Sequence, residues 1–155
     1  MNIGDEHYGK LLDKYNLKKT KTRLSVLEIL DSSETAVSQP ILEKTLGKDT
    51  DRVTLYRVLK SFEDKCIIHK IIDKNGTSFY ALCDSIDHLH QDHEMHVHFN
   101  CVVCLKVYCV DDLKLPHMPL PKGFTESSKS LVIYGTCEVC NKAALLYAGD
   151  KISES

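Results

Sequence analysis

Two Cys-x-x-Cys pairs, Cys101-Val102-Val103-Cys104 and Cys137-Glu138-Val139-Cys140, constrain this 155-residue chain more than any other feature. Each pair can present two sulfurs to one ion. Together they complete a closed tetrahedral set that leaves no position for water, the arrangement of a structural zinc site rather than a catalytic one. The 32 residues between the pairs exceed a compact zinc-ribbon spacing. The β-rich runs Val97–Asn100, Lys106–Val110 and Ser130–Gly135 can nevertheless bring them together. A rubredoxin-like iron site would use the same ligands, whereas a thioredoxin-like redox pair does not account for a duplicated motif in a His-rich chain.

Seven Cys and eight His accompany an N-terminus, MNIGDEHYGK, with no apolar stretch suited to export. A cytoplasmic location is expected, where thiols stay reduced and serve metals rather than disulfides. No run approaches the ~18 apolar residues of a membrane span, so no membrane partner is expected. The net charge of −2 argues superficially against nucleic acid, but it hides an asymmetry. Residues 1–80 carry 14 Lys+Arg against 12 Asp+Glu, whereas residues 81–155 carry 6 against 10. The metal-ligand types divide the same way, with two His and one Cys in the first part and six of each in the second. Two modules are expected.

In the first module, residues 5–16 and Thr22–Leu30 place apolar residues at helical spacings. Ser38 is a candidate N-cap for a short helix ending at Leu46, with Pro40 in its first turn and Gly47 as terminator. From about Asp51, Leu55, Val58, Leu59 and Phe62 share one helical face, leaving Arg52, Tyr56, Arg57 and Lys60 on or beside the other. The pattern predicts a helix-turn-helix. The β-rich runs Ile67–Ile72 and Ser78–Leu82 flank Lys74-Asn75-Gly76-Thr77, and Asn-Gly is a strong hairpin signal, here the wing of a winged helix. Such a module suits the major groove, with Lys18, Lys19, Lys21, Arg23 and Lys74 neutralising phosphates. The competing reading makes these residues merely a solvated helix face. Cys66, between helix and wing, reads as a core residue.

The second module opens with five His in the eleven positions His88–His98. On a strand, His96 and His98 share a face and can bind one ion. His88, His90, His93 and Glu94 precede it in what reads as a mobile His-rich loop able to bind metal loosely. The HExxH hydrolase motif fails, because Val97 stands where its second His belongs. No GxSxG, Walker loop or GxGxxG occurs, so an enzyme is not expected. Pro116, Pro119 and Pro121 exclude a long helix over Leu113–Phe124.

Thr54-Leu55-Tyr56-Arg57-Val58-Leu59, Thr20-Lys21-Thr22-Arg23 and the run His96 to Cys104 stand in an order that resembles the ferric uptake regulator family of metal-dependent transcription factors. The resemblance covers about residues 8–142 and is greatest to the family's zinc-sensing branch. It implies an α+β chain: a winged-helix DNA-binding domain over 1–83, a hinge near Leu82–Ser85, and a small α/β metal-binding dimerisation domain over 84–155. The expected protein is a homodimeric repressor that binds operator DNA when a regulatory metal is present. By this resemblance Tyr56 and Arg57 read the major groove, with Thr54, Arg52, Arg23 and Lys74 as further DNA-binding candidates. Cys101, Cys104, Cys137 and Cys140 match the structural zinc ligands, and His96 and His98 match the regulatory site that links the domains.

Departures from the family pattern bear on the metal. Ala36 stands where iron- and peroxide-sensing members carry a His, Cys109 where they carry an acidic residue, and Val97 where an acidic residue commonly separates the histidines. Phe79-Tyr80-Ala81-Leu82-Cys83 and Ile68-His69-Lys70 resemble the zinc-sensing branch. His69, Cys83, His96 and His98 then form a regulatory set of one thiolate and three imidazoles, suited to Zn²⁺. Fe²⁺ and Mn²⁺ are the alternative regulatory ions, and Cys109, His93 and Glu94 are possible additional ligands. Control of metal-uptake genes by zinc is the expected function. An iron- or peroxide-responsive regulator of the same family, or a zinc-storage or enzyme module, is the alternative.

Overall fold

Phe62, Leu12, Leu27, Leu42, Leu55, Leu59 and Ile67, each no more than 2% exposed, mark the centre of the N-terminal core. They come from helices α1 (Ile3–Lys14), α2 (Lys21–Asp31), α3 (Gln39–Leu46) and α4 (Arg52–Asp64) and the approach to strand β2 (Ile68–Ile72). The computed structural model describes residues 3–83, 96–114, 117–126 and 129–150. The chain divides into two units, Met1–Glu94 and Met95–Ser155. His88, His90, His93 and Glu94, and the hinge residues Asp84 and Ser85, lie outside the described residues.

Local chemistry accounts for the helix starts. Thr20 caps α2 by accepting from the Arg23 N–H at 3.4 Å, and Asp51 caps α4 by accepting from the Thr54 N–H at 2.9 Å. Ser38 takes the extended N-cap conformation of α3 without a side-chain cap bond, and Pro40 occupies the first turn. The expected connection between α3 and α4 contains a single 3-10 turn, Gly47–Asp49. On α4, Leu55, Val58, Leu59 and Phe62 are buried, as their spacing requires. Cys66 is only half-buried and takes φ 53° as the chain leaves α4, so this turn, rather than core filling, is its structural setting.

The wing is an antiparallel pair of β2 with β3 (Ser78–Leu82), and β1 (Val37–Ser38) adds to the other edge of β3 in the order β1-β3-β2. Asp73 organises the wing turn. Its carboxylate accepts the N–H groups of Asn75 at 2.9 Å and Thr77 at 2.8 Å, while Gly76 takes φ 81°. Periodicity did not indicate the two-residue strand β1, because two residues carry no detectable alternation.

The second unit has a three-stranded sheet in the order β5-β4-β6, from β4 (His96–Cys101), β5 (Val107–Lys114) and β6 (Leu131–Gly135), followed by α5 (Glu138–Asp150). Strand β4 pairs antiparallel with β5 and parallel with β6. Val97, Cys101 and Val107 are buried, whereas Phe124, Val139, Leu145 and Leu146 are each more than 70% exposed. No helix forms in the described part of 113–124, as the prolines require. Helix α5, which was not foreseen from the residue pattern, begins directly after Cys137 and carries Cys140 in its opening turn.

Candidate metal centres and recognition helix

Parallel pairing of β4 with β6 sets Cys101 opposite Gly135, and the Val102 N–H donates to the Gly135 carbonyl at 2.8 Å. Cys137, two residues beyond that register, is thereby delivered beside the first pair. The Sγ atoms of Cys101, Cys104, Cys137 and Cys140 all lie within 4.8 Å of one another. Cys104 and Cys137 approach to 3.8 Å, about the edge of a tetrahedron with ~2.3 Å zinc–sulfur bonds and far beyond a disulfide bond. All four thiols are free.

Backbone amides prepare the site for anionic sulfur. Burial raises the Cys101 thiol, but the N–H groups of Cys104, Cys137 and Val103 outweigh it and bring the thiol down to about 6. The Cys104 and Cys137 N–H groups reach Cys101 Sγ at 3.5 and 3.4 Å. Cys137 is lowered by the Cys140 N–H and by the Tyr108 hydroxyl. Cys140 is pushed up to about 12, chiefly because its thiol donates to Cys137. Four thiolates in this space need a cation to balance them, and the donor set fits zinc. Tyr108 was missed in the sequence because nothing marks a tyrosine as a partner of a sulfur distant in the chain.

Each unit holds a further pair of ligand-type side chains. On the wing, Cys83 follows β3, is 4% exposed, and places Sγ 3.6 Å from His69 Nδ1. The Cys83 N–H donates to the Ile67 carbonyl at 3.0 Å, holding the residue against the first strand of the hairpin. In the second unit, His98 and Cys109 are direct cross-strand partners on β4 and β5, with ligand atoms within 4.8 Å. His98 is 6% exposed. A register irregularity between His96 and Val97 interrupts the regular alternation on which the pairing of His96 with His98 was argued.

The DNA-binding candidates fall on α2, α4 and the wing. Tyr56 is 58% exposed, and Arg57 is also exposed beside it on α4. Thr54 donates its hydroxyl to Asp51 at 2.5 Å, so it also completes the helix cap. Arg52, the first residue of α4, pairs through Nη2 with Glu43 at 3.0 Å. Arg23 turns back to donate to the Lys18 carbonyl at 2.8 Å, bracing the loop before α2. Lys74 is exposed at the wing turn.

Comparison with known proteins places this architecture. The model of the Ferric uptake regulator family matches residues 14–120. The chain is 32% identical over 134 residues to the ferric uptake regulation protein of Klebsiella pneumoniae, covering 81% of each chain. To that of Yersinia pestis it is 31% identical over 141 residues, covering 86% of this chain and 90% of the other. The crystal structure of the Vibrio cholerae ferric uptake regulator is similar at a TM-score of 0.57 and 25% identity, over 84% of this chain and 99% of that one. A zinc uptake regulator complexed with zinc and DNA shares the fold at a TM-score of 0.68 and 20% identity, over 94% of this chain and 99% of that one. The matched residues span most of the chain and include the helix-turn-helix, the wing and the first Cys-x-x-Cys, so the chain belongs to the Ferric uptake regulator family of metal-responsive, DNA-binding transcription regulators and is not an enzyme.

Proposed function

We propose that this regulator is a cytoplasmic, homodimeric, zinc-responsive repressor of metal-uptake genes. Residues 1–83 act as its DNA-binding domain and 84–155 as its metal-binding dimerisation domain. The observation that carries the zinc assignment is the Cys83–His69 pair, with sulfur and imidazole nitrogen 3.6 Å apart on the wing. Thiolate with imidazole favours Zn²⁺ over Fe²⁺ or Mn²⁺, which other members of the family sense with harder ligands. His69, Cys83, His96 and His98 are the regulatory ligands, with Cys109 as an additional candidate because it faces His98 across the sheet. His93 and Glu94 are candidates for looser binding.

Cys101, Cys104, Cys137 and Cys140 hold a structural zinc, whose positive charge balances the thiolates and ties α5 to β4. Tyr56, Arg57, Arg52, Thr54, Arg23 and Lys74 form the face that engages double-stranded operator DNA. A regulatory ion that binds the DNA-competent arrangement more tightly shifts the population toward it, and reciprocity requires operator DNA to raise metal affinity by the same factor.

The test is DNA binding across a free-zinc titration, with Fe²⁺ and Mn²⁺ in parallel, after measuring the metal retained by the purified protein. The expected result is one tightly held zinc per chain and sequence-specific binding switched on by further zinc. Cys83→Ser should shift the zinc dependence of operator binding by about tenfold or more, the scale on which ligand-shell changes alter metal affinity, while leaving the dimer folded. Activation by Fe²⁺ or Mn²⁺ but not zinc would replace the zinc reading with an iron- or manganese-responsive one. An unchanged zinc response in Cys83→Ser would remove Cys83 from the ligand set.

A further inference from the structure

The front of the recognition helix carries an ordered polar group that spans two helices. Glu43 on α3 accepts from Gln39 Nε2 at 3.0 Å and, through its other oxygen, from Arg52 Nη2 at 3.0 Å. The Glu43 side chain is 26% exposed and that of Arg52 is 78% exposed. The anchor therefore sits lower in the surface than the guanidinium it holds. Hydrogen bonds from Arg52 and then Gln39 keep the Glu43 carboxyl below the usual carboxylate range, hence ionised at neutral pH. Asp51, the adjacent acid, accepts from the N–H and hydroxyl of Thr54, leaving Glu43 as the carboxylate that orients Arg52.

Exposed ion pairs contribute little to stability, so stability alone gives a weak reason for this arrangement. Its position gives a stronger one. In helix-turn-helix docking the N-terminal residues of the second helix reach base edges, and Arg52 is the first residue of α4. A guanidinium has five N–H donors in a rigid fork, so one can bind a carboxylate while others remain for the two acceptors of a guanine edge.

We propose that Glu43 is a positioning residue for sequence readout, holding Arg52 so that its free N–H groups address a guanine in the operator's major groove. This inference rests on α4 being the DNA-reading helix. It adds that one base preference depends on a carboxylate of α3 that makes no base contact of its own.

The test uses the full-length, zinc-loaded protein and a duplex selected by it from a randomised pool, with single-base variants of that duplex as competitors. Glu43→Ala and Arg52→Ala should relax discrimination at the same guanine by about tenfold, the scale of one bidentate contact. Glu43→Ala should leave the salt dependence of binding unchanged, because no phosphate contact is lost. The double variant should be no worse than Arg52→Ala alone, as expected for residues acting as a unit. Glu43→Gln, which keeps an acceptor oxygen, should fall between Glu43→Ala and wild type, and thermal melts of each variant check that the fold is retained.

A uniform gain in affinity for all duplexes with Glu43→Ala would overturn the inference by showing that the carboxylate only repels phosphates. An unchanged base profile in a folded Glu43→Ala protein would also overturn it, while leaving the DNA-reading role of α4 intact. Absence of sequence-specific binding by the wild-type protein with any metal would overturn both.

Discussion

At the scale of single residues, the side chains that organise this protein are polar groups held by partners far away in sequence. Tyr8 on α1 donates to Asp31 at the end of α2 at 2.7 Å and is only 9% exposed. Burial first, and then the hydrogen bond to Asp31, push its phenol up to about 12. The folded value lies above the ~10 of an exposed tyrosine, so its contribution is fully present below pH 10 and is lost as pH rises through 12. Tyr8→Phe should cost about 1–2 kcal/mol at neutral pH and should lose less stability than wild type between pH 10 and 12. Urea titrations across that range check both statements. Tyr8 was legible as an apolar helix position, but its bond to Asp31 was not, because helical periodicity specifies a face and not the partner on the next helix. Glu43 was missed for the same reason, being one charged residue of a short helix until the fold sets it beside Arg52.

At the scale of elements, turn chemistry was read in advance more fully than capping. The β3 strand has the expected bounds Ser78–Leu82, whereas the side-chain cap bonds of α2 and α4 come from Thr20 and Asp51, and Ser38, the residue expected as a cap, makes none. The wing turn requires Gly76, whose φ of 81° places it where an L side chain is strained. Gly76→Ala should therefore destabilise the N-terminal unit by about 1–2 kcal/mol, checked by chemical denaturation, and should weaken DNA binding if Lys74 loses its place on the wing. The antiparallel β4–β5 pair sets His98 opposite Cys109, a register closed where the Cys101 N–H donates to the Lys106 carbonyl at 3.0 Å. The Cys-x-x-Cys spacing did not reveal it, since equal counts outward from Cys101 and Cys104 would set His98 opposite Val107 instead. The irregularity at His96 and Val97 could not be counted in this way, since a bulge departs from the alternation on which counting depends.

At the scale of the whole molecule, the two units draw on different sources of stability. The N-terminal unit buries a continuous cluster drawn from α1 to α4 and its sheet. The second unit buries few large apolar side chains among its described residues and leaves Leu145 and Leu146 more than 70% exposed. A unit of this size needs a metal or a partner to supplement so small a core. If the four cysteines hold the proposed structural zinc in the proposed homodimer, its removal by a strong chelator, or Cys101→Ser, should abolish amide protection in β4–β6 and dissociate the dimer while α1–β3 keep theirs. Hydrogen exchange and mass determination in solution check this, and a stable dimer with a protected β4 would rule out the structural role of the four cysteines. The faces of α1, α2 and α4, the hairpin and the identity of the four clustered cysteines were legible in the chain, because they follow from local spacing and residue chemistry. Three further relations came from long-range packing: β6 runs parallel to β4 and so delivers Cys137 to Cys101, Cys83 meets His69, and Glu43 holds Arg52. Each of these depends on which distant segments share a core or a sheet, and that choice is made by packing the whole chain together rather than by a pattern any one segment carries.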